Sequence, residues 1–363
     1  MLIFYTDREK TSLCCDGGFK EKQMKDRGLV TVTGASGFIA LHTIRDLLGQ
    51  GYSVRGTVRD TGRVDRLVTS LSKYCDVTNL TFVRADLGED SGWAEAMTGA
   101  DYLLHMASPL PAKAPLDENE LIIPARDGAL RAIQAAVDAG VRRIVMTSSI
   151  AAISGGHDKS LTLDESHWSD TAKDIGAYPK SKTIAERAAW DYINSLPESQ
   201  KPEFAVINPG FVLGPVIDTD TSASHEIIRR LIAREVPGLP NIGFSLVDVR
   251  DVAAAHVIAL THQEAPGNRY ICVAESMSFR EIARLLQSHL AGQNYNIPQR
   301  SVPDWLVRTL ALFSPTFRLI VTRLGQATKF DTTRIRQQFD WTPVPMTQSI
   351  AETADSMIAH RIV

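Results

Sequence analysis

Residues 29–51, LVTVTGASGFIALHTIRDLLGQG, constrain the fold more than any other stretch. A β-rich run gives way to a short glycine loop and then to an amphipathic run closed by Gly51. That order is strand, tight turn, helix. It recurs along the chain. YSVRGTV (52–58), LTFVRAD (80–86), DYLLHMA (101–107), RRIVMTSS (142–149) and FAVINPG (204–210) read as further strands. ALRAIQAAVDAG (129–140) and a run beginning near Tyr178 read as helices between them, with Gly140 a second helix stop.

Repeated strand–helix–strand units predict an α/β fold, a doubly wound parallel sheet with helices on both faces, the Rossmann arrangement. After residue 208 the alternation loosens. PGLPNIG (237–243) is a Pro/Gly-rich connection, and DVRDVAAAHVIALTH (248–262), SFREIARLLQSHLAG (278–292) and VPDWLVRTLALF (302–313) read as helices. The expected division is a nucleotide-binding domain of residues 27–207 plus about 243–263. A smaller, mostly helical C-terminal substrate region would take about 208–242 plus 264–363. Residues 1–26 read as a poorly ordered extension, and Met24 is an alternative start.

Composition narrows the function classes. Of the 363 residues 44% are hydrophobic, ample for a large core. A net charge of −3 gives no electrostatic case for nucleic-acid binding. Cys14, Cys15, Cys75 and Cys272 form no metal-ligand spacing and no disulfide framework, so no metal is expected and a reducing, cytoplasmic setting is. The adjacent Cys14 and Cys15 read as free thiols. The most apolar stretch, LVRTLALFSPTFRLIV, is broken by two arginines and a proline, so no membrane span is expected.

The loop Gly34-x-x-Gly37-x-x-Ala40 lies between strand and helix, where backbone N–H groups and the helix dipole can meet a pyrophosphate. Gly34 allows the turn, Gly37 lets phosphate approach, and Ala40 lets helix and strand pack closely. Ser36, Phe38 and Ile39 complete the set expected to touch cofactor here. The second strand ends in Arg59, with Arg63 and Arg66 beyond. An acidic residue there would suit NAD, whereas Arg suits the extra phosphate of NADP. NADPH is therefore the expected cofactor, with NADH weaker, although Asp60 follows directly. Arg59 and Arg66 are the candidate phosphate ligands. Asp86 and Leu87 end the third strand, where a carboxylate can meet the adenine amino group. Met106, Ala107 and Ser108 end the fourth, beside the expected path of the ribose. His105 reads as a packed core histidine rather than a base.

Three residues could form a catalytic set. Ser149 ends the fifth strand, and Tyr178 and Lys182 lie four apart, on one helix face. Pro179 is tolerable only near a helix start, which puts Tyr178 in the first turn. Hydride addition to a carbonyl puts negative charge on its oxygen, so a donor must wait there. Bringing a tyrosine from a pKa of about 10 to about 7 needs roughly 4 kcal/mol. One ammonium about 4 Å away at an effective dielectric near 20 supplies roughly that. Ser149 would hold the carbonyl oxygen. Lys182 could also bond the nicotinamide ribose, while Lys180 is assigned to solvent.

The glycine loop, Ser149 and Tyr178-x-x-x-Lys182, in this order, resemble the extended short-chain dehydrogenases/reductases of the NAD-dependent epimerase/dehydratase superfamily. Within them VTGASGFIA, HMASP, SKTIAERAAW, NPGFVLGP and LVDVRDVAAAH resemble the dihydroflavonol-reductase-like branch, which also holds aldehyde and ketone reductases. The resemblance implies Ser149, Tyr178 and Lys182 as the triad and Arg59 as a 2′-phosphate ligand. It also implies that Pro209 touches the nicotinamide end and that Asp248 and Asp251 are structural. FDWTP carries Asp340 where relatives often have Gly.

The expected function is NADPH-dependent reduction of a small aldehyde or ketone by a monomer or homodimer. A sugar epimerase or dehydratase would share fold and triad, but Ser149 is followed by Ile150, with no acid to eliminate water. A hydroxysteroid-type dehydrogenase and a non-enzymatic NADPH-sensing regulator are further alternatives. Leu110, Phe211 and Ile227 are candidate substrate walls, and they hint at an aliphatic or aromatic carbonyl.

Overall fold

The computed structural model describes residues 27–109, 115, 117–158, 160–220, 222–313, 321, 324, 325 and 327–363. The extension with Cys14, Cys15 and Met24, and Leu110, lie outside the described residues. Seven parallel strands form the central sheet. They are β1 (Leu29–Val32), β2 (Ser53–Val58), β3 (Leu80–Arg84), β4 (Tyr102–His105), β5 (Arg143–Thr147), β7 (Glu203–Pro209) and β10 (Arg269–Cys272). Their spatial order is β10-β7-β5-β4-β1-β2-β3. β1 pairs with both β2 and β4, so the winding reverses beside it. Open α/β sheets bind ligands at that reversal, outside the carboxyl ends of the strands.

Period-two alternation assigns each strand residue to a face. Leu104, Val145, Ala205 and Ile207 join the core under α1 (Phe38–Gly49) and α8 (Val249–Ala259). Leu103, Ile144, Phe204 and Val206 join the core under α3 (Trp93–Met97), α4 (Asn119–Asp138) and α6 (Ala177–Ser195). Strands buried on both faces explain why the sequence shows continuous apolar runs there. The helix stops fall where expected. After α1, Gly51 and Tyr52 donate to the carbonyls of Leu48 and Leu47; after α4, Gly140 and Val141 donate to Val137 and Ala136.

α4 starts ten residues before the stretch predicted for it, passing through Pro124 and Gly128. Gly128 is required by packing, because a Cβ there would lie 2.7 Å from that of Leu87. The remaining short elements near the sheet are α2 (Val64–Leu71), α5 (Ala151–Ser154) and β6 (Thr162–Leu163).

The last third holds the predicted helices and a second, three-stranded sheet that the sequence did not announce. β8 (Phe211–Leu213), β9 (Gly243–Asp248) and β11 (Glu275–Ser278) pair in the order β11-β9-β8. With α7 (Ala223–Ile232), α9 (Phe279–His289) and α12 (Met346–Ala359) they enclose a separate apolar cluster. α10 (Asp304–Ala311), β12 (Lys329–Phe330) and α11 (Thr333–Gln338) complete the described elements.

Asp248 caps α8 by accepting from Arg250 N at 2.8 Å, and its carboxylate pairs with the Arg250 side chain. Asp251 accepts from Val344 N at 2.9 Å, tying α8 to the segment before α12. Asp340 follows α11 with φ +49°, in the left-handed region that favours glycine. Among the described residues no helix is long and apolar enough to cross a membrane.

Candidate active site

Between β1 and α1 the glycine loop turns at Gly34, whose φ is +66°. A Cβ on Gly34 would meet Ala107 Cα at 3.0 Å, so the loop lies against the end of β4. Gly37 donates its N–H to the Gly34 carbonyl at 2.8 Å and precedes the first residue of α1. The Phe38 and Ile39 side chains turn inward to the core. Thr33, which the sequence reading passed over, clasps the two sides together. Its Oγ1 accepts from Met106 N and Ala107 N, both at 2.9 Å, and lies 3.1 Å from His105 Nδ1. A hydroxyl that accepts twice has its own proton for His105, which sets the ring as the Nε2–H tautomer. Burial, and then Lys182, push His105 down to about 3, so it stays neutral. Ser108 is half-buried just beyond.

A pocket of about 290 Å³ opens at the ends of β1–β3, lined by Ser36, Val58, Arg59, Asp60, Arg63 and Asp86. Arg59 is exposed and makes no hydrogen bond or ion pair among the described residues. Asp60 is turned to local use, accepting from Gly62 N at 2.9 Å. Asp86 accepts from Gly88 N at 2.8 Å, and Leu87 packs on Gly128 of α4. The structure separates the arginines expected to act together. Arg63 pairs with Asp220, and Arg66 pairs with Asp218 at 3.0 Å and Asp220 at 3.1 Å. Arg66 does not line the pocket. Neither aspartate was legible as a partner, lying some 150 residues away in the loop after β8.

Ser149 lies just past β5. Its Oγ accepts from Ala151 N at 3.1 Å, leaving its own proton to donate. Tyr178 and Pro179 are the second and third residues of α6, so the proline removes only an N–H with no intrahelical partner. Lys182, one turn on, is 7% exposed. Burial lowers its pKa to about 8, while Glu186 pushes the other way. Pro209 ends β7, its carbonyl accepting from Ile150 N at 3.0 Å next to Ser149.

Beneath these residues lies a charged network, also unforeseen. Glu186, fully buried, accepts from Ser148 Oγ, Asn208 Nδ2 (2.9 Å) and Arg269 Nε. Asn208 Nδ2 also donates to the Ser149 carbonyl at 3.2 Å. Arg269 reaches on to the carbonyls of Glu165 (2.9 Å) and His167 (2.7 Å) and lies over the Trp168 ring. The chain Ser149–Asn208–Glu186 therefore joins the end of β5 to the face of α6 that carries Lys182.

Two expectations change. Lys180 is not left to solvent: its Nζ donates to Glu118 at the start of α4, and its side chain is only 16% exposed. Phe211 and Ile227 are half-buried against the second apolar cluster, with Phe211 5.0 Å from the Phe244 ring, so both serve packing as well as any substrate.

Comparison with known proteins gives the family and the fold. The NAD dependent epimerase/dehydratase family matches residues 30–273. The dihydroflavonol 4-reductase of Arabidopsis thaliana is 35% identical over 277 residues, 74% of this chain and 71% of that protein. Among solved structures, Gre2 of Candida albicans in complex with NADPH has a TM-score of 0.75 at 28% identity, covering 92% of this chain and 99% of that one. Yeast methylglyoxal/isovaleraldehyde reductase Gre2, complexed with NADPH, has a TM-score of 0.76 at 25% identity and the same coverage. The chain thus belongs to the NAD dependent epimerase/dehydratase family, as an NAD(P)-dependent oxidoreductase of the extended short-chain type and its dihydroflavonol-reductase-like branch.

Proposed function

We propose that the protein is an NADPH-dependent reductase of small aldehydes or ketones. The observation that carries this reading is the buried Lys182 one turn after Tyr178, on a helix bonded through Glu186 and Asn208 to the carbonyl of Ser149. The cofactor fits the residues present. The turn from Gly34 to Ile39 offers backbone donors and a helix N-terminus. The pocket beyond it holds an unpaired Arg59 for a 2′-phosphate and Asp86 for an adenine amino group. Leu87, Met106, Ala107, Ser108 and Pro209 would flank the remainder, and Arg66 would steady the Arg63 side of the pocket. When bound, NADPH supplies the hydride.

The chain's own groups do the rest. Ser149 donates its hydroxyl proton in a hydrogen bond to the carbonyl oxygen without losing it. Tyr178 transfers its phenolic proton to that oxygen as negative charge grows there, and regains one from solvent. Lys182, charged, makes the tyrosine a stronger acid and helps hold the ribose. Sugar elimination is not favoured, because Ile150 follows Ser149 and the Ser148 hydroxyl is committed to Glu186. The relatives named above point to carbonyl substrates, and the small aldehydes of yeast Gre2 set the first ones to try.

The test is purified protein with NADPH and a panel of aldehydes and ketones, followed at the cofactor's absorbance. Turnover that disappears in Tyr178→Phe while NADPH still binds is the expected result. Tight NADPH binding with no turnover of any carbonyl would favour a cofactor-sensing protein instead.

A further inference from the structure

We propose that Glu186 is a positioning residue for the active site: its buried carboxylate locks α6 to the end of β5 and keeps the Lys182 ammonium charged. The inference rests on the reading of Lys182 as the group that makes Tyr178 acidic. Lys182 and Glu186 lie one turn apart on the same face of α6. Both are buried. A fully buried carboxylate is costly unless paired, and well-packed apolar residues of similar size often serve stability as well. A site for one a single helical turn from a buried ammonium therefore asks for a use.

The partners divide the carboxylate. Arg269 takes Oε1, while Ser148 and Asn208 both donate to Oε2. The Arg269 charge is spread over two carbonyls and the Trp168 ring. Asn208 relays the contact to the Ser149 backbone, so the carboxylate sets where Ser149 and Lys182 stand relative to each other.

Few titratable groups face this pair. α6 contributes Tyr178 as well as Lys182 and Glu186. β4 contributes His105, which is neutral. β10 contributes Arg269, and the loop before α6 contributes Glu165, engaged by Ile271 N at 3.2 Å. Burial draws the Lys182 pKa down to about 8, and Glu186 is the charge opposing that fall. Removing that negative charge stabilises the deprotonated form of Lys182, so the alkaline limb of the rate profile must move to lower pH.

Glu186→Gln keeps shape and removes the charge, but it leaves Arg269 buried without its carboxylate. The double variant Glu186→Gln/Arg269→Gln removes both charges together and serves if the single variant does not fold. For each, kcat for carbonyl reduction is measured from pH 6 to about 10, with NADPH affinity by fluorescence. The expected result for Glu186→Gln is an alkaline limb displaced downward by about one pH unit, with a rate loss about tenfold greater at high pH than at low. For the double variant, which loses a cation with the anion, a smaller displacement in the same direction is expected. NADPH affinity should stay within about threefold of the parent. A rate reduced by the same factor at every pH, with the limb unmoved, would overturn the proposal. Tyr178→Phe in the same assay separates the two readings. Near-normal turnover there brings down the triad itself, whereas an inactive Tyr178→Phe with an unmoved limb brings down only the role of Glu186.

Discussion

Lys180 donates from Nζ to Glu118 at 2.8 Å, while Lys182, two residues on, is buried one helical turn before Glu186. One short segment thus sends its two lysines to different places, a tie between α4 and α6 in the first case and the face proposed to be catalytic in the second. Lys182→Ala should lower kcat by at least about a hundredfold. Lys180→Ala should change it by less than about threefold and cost at most about 1 kcal/mol, as expected of a partly exposed ion pair. Steady-state rates and urea melts of the two variants check this. Equal activity losses would remove the distinction.

Arg59 stands unpaired in the pocket while Arg63 and Arg66 are held by aspartates. Arg59→Ala should raise the KM for NADPH by about tenfold to a hundredfold, the loss of a charge-assisted contact, and barely alter that for NADH. Parallel titrations with both cofactors measure it, and equal effects would argue against a 2′-phosphate contact.

Burial raises the Asp251 pKa to about 6, well above the ordinary carboxylate value. The folded state therefore binds this proton more tightly than the unfolded chain. Stability from this group is greatest below pH 4, falls as pH rises toward 6, and levels off above. Asp251→Asn keeps an acceptor for Val344 N and should be more stable than the parent at pH 7.5. The difference should vanish near pH 4. Denaturant midpoints at the two pH values show it, and a difference independent of pH would rule it out.

Asp340 adopts φ +49° just after α11. Asp340→Gly should stabilise the fold by up to about 1 kcal/mol, since the strain relieved exceeds the entropy lost by a glycine. A raised melting temperature with unchanged activity is the expected reading.

The architecture was legible because it rests on local signals. Apolar runs, the loop at Gly34 and the stops at Gly51 and Gly140 each act within a few residues. Pro179 fixed Tyr178 in a first turn for the same reason. What stayed hidden depends on contacts far apart in sequence. The helix through Gly128 was legible only from Ala129, because the close packing of Leu87 on that glycine is not local. Arg66 looked like a phosphate ligand because its aspartates lie in a loop after β8. Glu186, four residues past Lys182, was in plain view at helical spacing. Its importance needs Arg269, 83 residues later. β8, β9 and β11 are short and partly polar, and their pairing is mostly non-local, so no single stretch announced a second sheet.

β10 is the sheet's outer strand, farthest from the glycine loop, yet its first residue is Arg269. Every recognisable motif of the site precedes it. A shortened protein ending after α8 would therefore keep the loop, Ser149, Tyr178 and Lys182, and still leave Glu186 a buried anion without its counter-charge. The family match runs to residue 273, one past β10. The smallest unit able to hold this site in a single arrangement extends to that edge strand, and a domain graft or circular permutation of the fold has to cut beyond it.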